Sequence, residues 1–354
     1  MKSFEFTGTG LEYFKIWIVN ILLTVLTLGI YYPWAKVRNN RYLYANSMIE
    51  ERNFDYHATG KQLLYGYLIA LSFFIVYKIL EVFFPIGSIV LVVFFLFIIP
   101  WLIWRSMKFN LNVTSFNNIR FKFSGGIKES YIIFLAIPIL SLIAFSSIIF
   151  LIIQFQNSTI IMGIGVILIL TFYIIATSYF NIVKTRFLID YTSYGKSDFQ
   201  TSIDTPVFIK IMLKTILISI LSFILGSIIL GSIFYFTIDF SQITYLSNLF
   251  KSDPKLAITM IFTAFTYIFV ALYFFIIIVS LISFAYYITR QRAYIFENTN
   301  LDSNVKFFSH MKFIPYFFIL VTNFLLIIIT MGLAYPWAKV RVAKYTLENT
   351  TLKL

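Results

Sequence analysis

The sequence predicts a mainly α-helical polytopic membrane protein with six spanning helices, two re-entrant or short hydrophobic segments, and a small cytoplasmic layer of β-hairpins. The 354 residues are 60% hydrophobic and 20% aromatic but only 12% charged, so they carry more apolar surface than one soluble core can bury. The apolar residues also form eight long blocks, separated by polar junctions of recurring composition. These observations make the lipid bilayer the expected environment of the chain.

Each apolar block approaches the roughly 20 residues that a spanning helix requires. The eight blocks occupy residues 14–34, 63–84, 86–104, 130–154, 159–180, 208–237, 257–288 and 313–337. No small-residue cleavage site follows the first block, so no cleavable signal peptide is expected. Because blocks two to seven make six crossings, the first four junctions are expected on one side of the membrane.

The polar junctions share one pattern: a basic residue, an aromatic, then Asn, Ser or Thr, a turn, and an aromatic-rich strand. In the second junction, Asn117-Asn118 precedes Phe121-Lys122-Phe123. Alternation with a period of two places both rings on one face of a strand, and Asn117-Asn118 or Gly195-Lys196 is a turn signal. Each junction is therefore predicted to be an interfacial helical stretch followed by a β-hairpin.

The recurring junctions also predict internal repeats within one membrane domain, residues 1–354. If the last strand, around residues 346–353, pairs with the first, around residues 2–7, the unit closes on itself five times in a pseudo-fivefold ring. The predicted units are approximately residues 1–49, 50–116, 117–194, 195–300 and 301–354.

The first and last apolar blocks leave two topologies open. If residues 313–337 cross fully, the Pro-Trp sequences after the two outer blocks emerge on opposite faces, as in inverted repeats. If both outer blocks re-enter, 25 of the 28 Lys and Arg residues lie on the junction side, against 19 for the full crossing. Both blocks also carry Thr-x-Gly before Pro, which is typical of a bend. Charge and bend together favour re-entrant segments and cytoplasmic junctions.

The beginning of the chain resembles a known family. The matching residues are Phe4-x-Phe6-x-Gly8-x-Gly10-x-Glu12-Tyr13, followed by Thr27-Leu28-Gly29-Ile30-Tyr31-x-Pro33-Trp34-Ala35. This pattern resembles the YjgN family of bacterial inner-membrane proteins, and the resemblance extends over the whole chain. The C-terminal copy departs from it, because Ala334 stands where Tyr31 does. The resemblance implies a multi-pass location in the bacterial inner membrane, and it brings no established activity or functional residue.

One motif returns three times, directly after an apolar run: a proline and a tryptophan, with an arginine four residues after the tryptophan. Its members are Pro33, Trp34 and Arg38; Pro100, Trp101 and Arg105; and Pro336, Trp337 and Arg341. Residues i and i+4 share a helical face, so each arginine is expected beside its ring. The general interpretation is an aromatic belt with snorkelling cations. The specific interpretation is recognition of an anionic lipid head group such as cardiolipin.

Few polar side chains interrupt the apolar blocks. Asn20 and Asn323 are candidate intramembrane polar residues, and a contact between the two outer blocks would satisfy both amides. The alternative is that these amides line a substrate path. Lys78 and Glu81 are interpreted as a helix-end pair that snorkels to the outer interface.

Catalysis, cofactors and metals are not expected. The chain has no cysteine, and His57 and His310 alone make a poor metal site, since structural zinc usually needs four ligands. No P-loop, dinucleotide fingerprint or nucleophile elbow appears, so the protein is predicted not to be an enzyme. The net charge of +13 sits at the ends of apolar runs, where it meets anionic membrane lipids and not nucleic acid.

Two functions follow as alternatives. The first is transporter-like or channel-like passage of a small solute or lipid, without a carboxylate proton relay, because the centres of the apolar blocks hold no Asp, Glu or His. The second is a non-catalytic scaffold that organises anionic lipids. A polar cavity that reaches the middle of the bilayer would favour the first, and a centre packed solid with apolar side chains would favour the second.

Overall fold

A small closed β-barrel carries a ring of helical hairpins. The computed structural model describes residues 1–154, 158–237, 240–264, 266–302 and 304–354, and within these ranges it contains ten strands and thirteen α-helices. Five pairs of adjacent strands belong to the barrel, and every connection between pairs is a helical hairpin that leaves the barrel and returns to it.

The strands are short and strictly antiparallel. They are β1 (Lys2–Phe6), β2 (Ser47–Ile49), β3 (Arg52–Tyr56), β4 (Thr114–Phe116), β5 (Ile119–Phe123), β6 (Thr192–Tyr194), β7 (Ser197–Thr201), β8 (Thr299–Leu301), β9 (Val305–Ser309) and β10 (Thr350–Lys353). Each pairs with its neighbours in chain order, and β10 pairs with β1, with Thr351 opposite Ser3. The predicted pairing of last and first strands is confirmed. Closure leaves no open sheet edge.

Local sequence sets the tight turns of the strand pairs. Between β4 and β5, Asn117 and Asn118 both adopt left-handed backbone, with φ of 48° and 63°, which a two-residue type I′ turn requires and asparagine tolerates. Gly195 has φ of 64° at the next turn. The turns predicted at both places are confirmed.

A hydroxyl residue marks each passage from a helix to a strand. The hydroxyl oxygen of the first strand residue donates to the backbone carbonyl four residues earlier, at 2.5–2.8 Å, in all five cases: Ser47, Thr114, Thr192, Thr299 and Thr350. Such a bond competes with continued helix and so fixes the point at which the helix ends.

The helices alternate between those that depart from the barrel and those that return to it. The departing helices are α1 (Gly10–Leu26), α3 (Gly60–Phe83), α5 (Ile127–Tyr131) joined by a π-helical turn to α6 (Ile137–Gln154), α8 (Thr205–Thr237) and α12 (Phe313–Ile329). The returning helices are α2 (Tyr32–Ala45), α4 (Pro85–Asn112), α7 (Thr159–Asp190), α11 (Thr266–Glu297) and α13 (Tyr335–Glu348). Two further helices, α9 (Phe240–Ser252) and α10 (Pro254–Ala264), lie between α8 and α11.

Six helical segments are long and apolar enough to cross a membrane: Gly60–Phe83, Pro85–Asn112, Ile127–Gln154, Ile160–Asp190, Thr205–Phe236 and Thr266–Glu297. They agree with the six predicted spanning helices. The helical stretch predicted at each junction is the barrel-side end of a longer helix in α4, α7 and α11, because these helices run without a break from the apolar segment to the barrel. The predicted block 257–288 holds the end of α10 and most of α11, and residue 265 between them lies outside the described residues.

Two short hairpins, α1–α2 and α12–α13, occupy the outer apolar blocks. Both ends of each lie at the barrel, because β1 pairs with β2 and β9 pairs with β10. The tips bend as Thr-x-Gly predicts. Gly29 and Gly332 have φ of 91° and 93°, and the Thr27 and Thr330 hydroxyl oxygens accept hydrogen bonds from backbone amides four residues later, at 3.0 and 2.9 Å. Glycine adopts this backbone without a steric penalty.

The helices form a ring in chain order. Within the described residues, each departing helix packs against its own returning helix, each returning helix packs against the next departing helix, and α13 packs against α1 to complete the ring. Every returning helix also packs against one strand of the following unit, as α2 does on β3 and α13 on β1. The returning helices make no comparable contact with one another in this part of the chain.

Candidate ligand chamber inside the barrel

The inside of the barrel is lined by aromatic side chains. Along β1, Ser3 and Glu5 are exposed on the outer face, so Phe4 points inward. Six neighbouring pairs of rings have centroids 4.8–6.4 Å apart, within the range of favourable aromatic contact. The rings are Phe4, Phe54, Phe116, Phe121, Tyr194, Phe199 and Phe307.

The second aromatic of each Phe-x-Phe or Phe-x-Tyr motif has a different role. Phe6 is buried against Tyr13 of α1 and Val340 of α13, and Tyr56 is buried against Val37 of α2. The first ring of each motif therefore faces the barrel interior, whereas the second ring joins the core between barrel and helices.

The aromatic rings line a chamber of about 630 Å³, and residues at the barrel ends of the returning helices also line it. Leu111, Leu188, Ile295 and Leu347 contribute from four of these helices. The volume is that of a typical small-ligand pocket. Its lining is almost entirely apolar, so a ligand that fits it has a hydrocarbon body.

Arg292 of α11 is the exception. Among the described residues that line the chamber, it alone carries a charged side chain. Its guanidinium lies 4.1 Å from the centroid of the Phe296 ring, and its Nη2 donates to Thr350 Oγ1 at 3.0 Å. Its Nε is buried without a hydrogen-bond partner. A cation held in apolar surroundings without a carboxylate is costly, so the site is suited to an anionic group.

The remaining polar groups of the chamber are mostly satisfied within the protein. Tyr194 donates its hydroxyl to the carbonyl of Phe116 at 3.0 Å, and burial raises the pKa of that hydroxyl above its usual value, so Tyr194 stays neutral. Asn110 donates to Ser106 Oγ at 3.2 Å. The chamber thus combines one cationic point with an aromatic body.

The tryptophans of the repeated motif join neighbouring units. Trp34 packs over Gly60 at the start of α3, and Trp337 packs over Gly10 at the start of α1. In the second unit, Trp104 and not the motif tryptophan contacts the next unit, because its Nε1 donates to the carbonyl of Gly125 at 2.7 Å. The prolines before the motif tryptophans are fully buried, at Pro33, Pro100 and Pro336.

The three motif arginines have three different partners. Arg38 donates to the Tyr31 hydroxyl at 3.3 Å, and Arg341 donates to Asn323 Oδ1 at 3.0 Å. Arg105 lies 5.1 Å from the centroid of the Trp101 ring, as the four-residue spacing predicts. They belong to separate helices, α2, α13 and α4.

The expectation that a contact between the two outer blocks satisfies the Asn20 and Asn323 amides is wrong. Each side-chain amide donates within its own hairpin, Asn20 Nδ2 to Asn39 Oδ1 at 2.9 Å and Asn323 Nδ2 to the carbonyl of Ala338 at 3.1 Å. The outer blocks do meet, but through aromatic rings: the Phe14 and Trp337 centroids are 4.9 Å apart.

The other ionisable candidates have local partners. Lys78 Nζ lies 2.6 Å from Glu81 Oε2 on the exposed surface of α3. His57 shares a hydrogen bond of 2.7 Å with Ser115 Oγ, and His310 one of 3.1 Å with Thr351 Oγ1. The described residues bring together no group of three His, Asp or Glu side chains suited to a metal ion.

Six apolar helices of spanning length define the chain as a multi-pass α-helical membrane protein. It belongs to the family described as bacterial protein of unknown function (DUF898), which matches residues 1–354. The chain is 28% identical to the inner membrane protein YjgN of Escherichia coli O157:H7 and of Escherichia coli strain K12, over 363 residues that cover 99% of this chain and 88% of each relative. It is 25% identical to the inner membrane protein YjgN of Salmonella typhimurium strain LT2, over 98% of this chain and 87% of that protein. No solved structure matches it.

Proposed function

We propose that this chain is a non-catalytic inner-membrane protein that takes an amphipathic anion, a lipid-like molecule with a long hydrocarbon chain, into the barrel chamber and passes it in a transporter-like manner. The observation that carries the proposal is Arg292, a cation in a chamber of aromatic rings that forms no ion pair with a described carboxylate. The relatives named inner membrane proteins support the location.

The chemistry of the interior favours a lipid over a hydrophilic solute. The chamber is apolar. In each spanning helix, no more than 11% of the most apolar segment is buried inside the protein. The returning helices do not pack closely on one another in the described residues, which favours acyl chains as their neighbours within the bilayer. A hydrophilic solute would find no polar lining along that path.

The membrane arrangement that fits this function has the barrel on the cytoplasmic side. Most Lys and Arg residues then face the cytoplasm, in line with the positive-inside tendency. Six helices cross the bilayer, and the α1–α2 and α12–α13 hairpins re-enter it from the barrel side. A hydrogen bond that recurs near the end of each of the five units supports tandem repeats. In each unit, the hydroxyl of the first residue of the last strand donates to the carbonyl four residues earlier.

The topology can be tested with single cysteines, because the chain has none of its own. We expect Glu5→Cys, on the outer face of the barrel, to react with a membrane-impermeant maleimide only after the cells are opened. Ser252→Cys, at the end of α9 between the far ends of α8 and α11, is expected to react in intact spheroplasts. Labelling of Glu5→Cys from the periplasm would contradict the arrangement.

Ligand binding by the chamber can be tested on the purified full-length protein in detergent. We expect Arg292→Met to weaken palmitate binding by about 10- to 100-fold, because a charge-assisted hydrogen bond contributes about 1.5–3 kcal/mol. Isothermal titration with palmitate and with the neutral alcohol hexadecanol gives the measurement. The wild type should prefer palmitate, and the variant should bind the two alike.

Arg290→Met is the matched control. Arg290 lies two residues away, outside the chamber and exposed, with its guanidinium 5.6 Å from the centroid of the Tyr286 ring. It should bind palmitate as the wild type does. Equal palmitate affinity of Arg292→Met and the wild type would contradict the role of Arg292. A wild type that binds neither ligand would favour the scaffold function.

A further inference from the structure

We propose that a second site, a groove of mixed polar and apolar lining between α1, α2 and α13, binds the head group of a phospholipid. The groove has a volume of about 480 Å³ and shares no lining residue with the barrel chamber. Lys36, Lys339 and Asn20 supply its polar lining together with Asn39 and Asn40.

Asn20 points to a ligand because one of its atoms lacks a partner. The side chain is only 2% exposed. Its Nδ2 donates to Asn39 and to the carbonyl of Ala35, but its Oδ1 accepts nothing from the described residues. A buried acceptor without a donor is costly, and Asn20 is among the residues that line the groove. A hydroxyl or ammonium group of a ligand would supply the missing donor.

The C-terminal hairpin shows what the N-terminal hairpin lacks. There the equivalent amide oxygen, Asn323 Oδ1, accepts a hydrogen bond from Arg341. The arginine at the corresponding place in the N-terminal hairpin is Arg38, which donates instead to the Tyr31 hydroxyl. Of the two hairpins, the N-terminal one therefore leaves this amide oxygen without a donor from the described residues.

Two lysines give the groove its charge. Lys36 belongs to α2 and Lys339 to α13, each three residues after a motif proline, so they approach the groove from different helices. Both are exposed, and neither forms an ion pair with a described carboxylate. Two unpaired ammonium groups along one groove favour a phosphate, as basic pockets between membrane helices do for lipid head groups.

The walls of the groove indicate a lipid and not a free phosphate ion. Ile21, Val25 and Tyr32 line it beside the polar residues and are exposed. Polar and apolar linings thus meet along one groove, as a phosphodiester and its acyl chains require. The donor needed by Asn20 further selects a head group with a hydroxyl or amine, such as glycerol or ethanolamine, over choline.

Native mass spectrometry of the full-length protein, delipidated and then mixed with defined lipids, tests this proposal. We expect the wild type to retain dioleoyl-phosphatidylglycerol or dioleoyl-phosphatidylethanolamine over dioleoyl-phosphatidylcholine. The double variant Lys36→Gln/Lys339→Gln should retain about tenfold less of these lipids than the wild type, since a phosphate loses two charged partners. Lys15→Gln/Lys344→Gln, which removes the same charge from exposed lysines outside the groove, should behave as the wild type.

Three results would overturn the assignment. Unchanged lipid retention in Lys36→Gln/Lys339→Gln would exclude the groove as the lipid-binding site. Retention of phosphatidylcholine equal to that of the other two lipids would exclude a hydrogen bond from the head group to Asn20. Displacement of the lipid by millimolar inorganic phosphate would identify a free anion as the ligand. Arg292→Met should leave retention at the groove unchanged, so failure of the barrel proposal is distinguishable from failure here.

Discussion

Replacing Gly60 with valine is expected to destabilise the folded protein by about 3 kcal/mol, at the upper end of overpacking costs. A Cβ at Gly60 would lie 2.3 Å from Cδ1 and 2.4 Å from Cγ of Trp34, closer than carbon atoms approach without repulsion. The indole has little freedom to move, because it follows the fully buried Pro33 and stacks on Tyr31 with centroids 6.1 Å apart. The added methyl groups must therefore separate α2 from α3.

The measurement is thermal unfolding in detergent followed by tryptophan fluorescence, with an expected fall of roughly 5 °C. Gly66→Val is the matched control, because Gly66 lies on the same helix with no heavy atom within 4 Å of its Cβ position. It should be as stable as the wild type or slightly more so, since glycine is a poor helix former. Gly60→Val leaves the helix cap of Thr59 and Gln62 in place. An equal loss in both variants would show that the Trp34 contact is not the cause.

The sequence was sufficient to predict the local elements. The two-residue period of Phe121-Lys122-Phe123 and the asparagine pair before it define a hairpin, because strand pleat and turn backbone depend on neighbouring residues. The six spanning helices follow from the length of the apolar blocks. The bend at Gly29 follows from glycine's access to left-handed backbone.

The contacts between distant segments could not be predicted from these patterns. Glycine at position 60 looks like a helix start, and only the fold shows that Trp34 occupies the space where a side chain would be. Asn20 and Asn323 are recognisable as costly polar groups, but periodicity does not say which helix supplies the partner. Each amide bonds to the helix that follows it.

The chamber could not be predicted from the sequence, because it too depends on contacts between distant segments. Arg292 stands among several basic residues near the end of α11, and its sequence neighbours resemble those of Arg290. Its burial depends on the helix face that turns toward the axis of the barrel, beside Phe296 and Thr350. The one available signal is that Arg292 and Phe296 are four residues apart, which places a cation over a ring on the same face.

Joining the two ends of the chain by a disulfide is expected to succeed and to have the largest effect on stability. Ser3 of β1 lies opposite Thr351 of β10, and opposed residues of antiparallel strands bring their Cβ atoms within disulfide range. Because the chain has no cysteine, Ser3→Cys/Thr351→Cys leaves only one intramolecular pairing. Closing so long a loop should stabilise the folded state by roughly 6 kcal/mol in the chain-entropy description, and the oxidised protein should migrate faster on a non-reducing gel.

Ser3→Cys/Ser193→Cys provides the negative control, because β6 is five strands from β1 in either direction around the barrel. At about 4.8 Å per strand step, those two thiols are separated by the whole chamber and should remain reduced. The strand β10 lies between β1 and β9, and α13 packs against α1, so these contacts close the barrel and the ring of helices. The disulfide test decides whether they form within one chain. A covalent dimer from Ser3→Cys/Thr351→Cys would mean that the ends pair between two chains, and the barrel would then be shared and not closed by one chain. A monomer with joined ends places the chamber, Arg292 and the α1–α2 and α12–α13 hairpins within a single polypeptide.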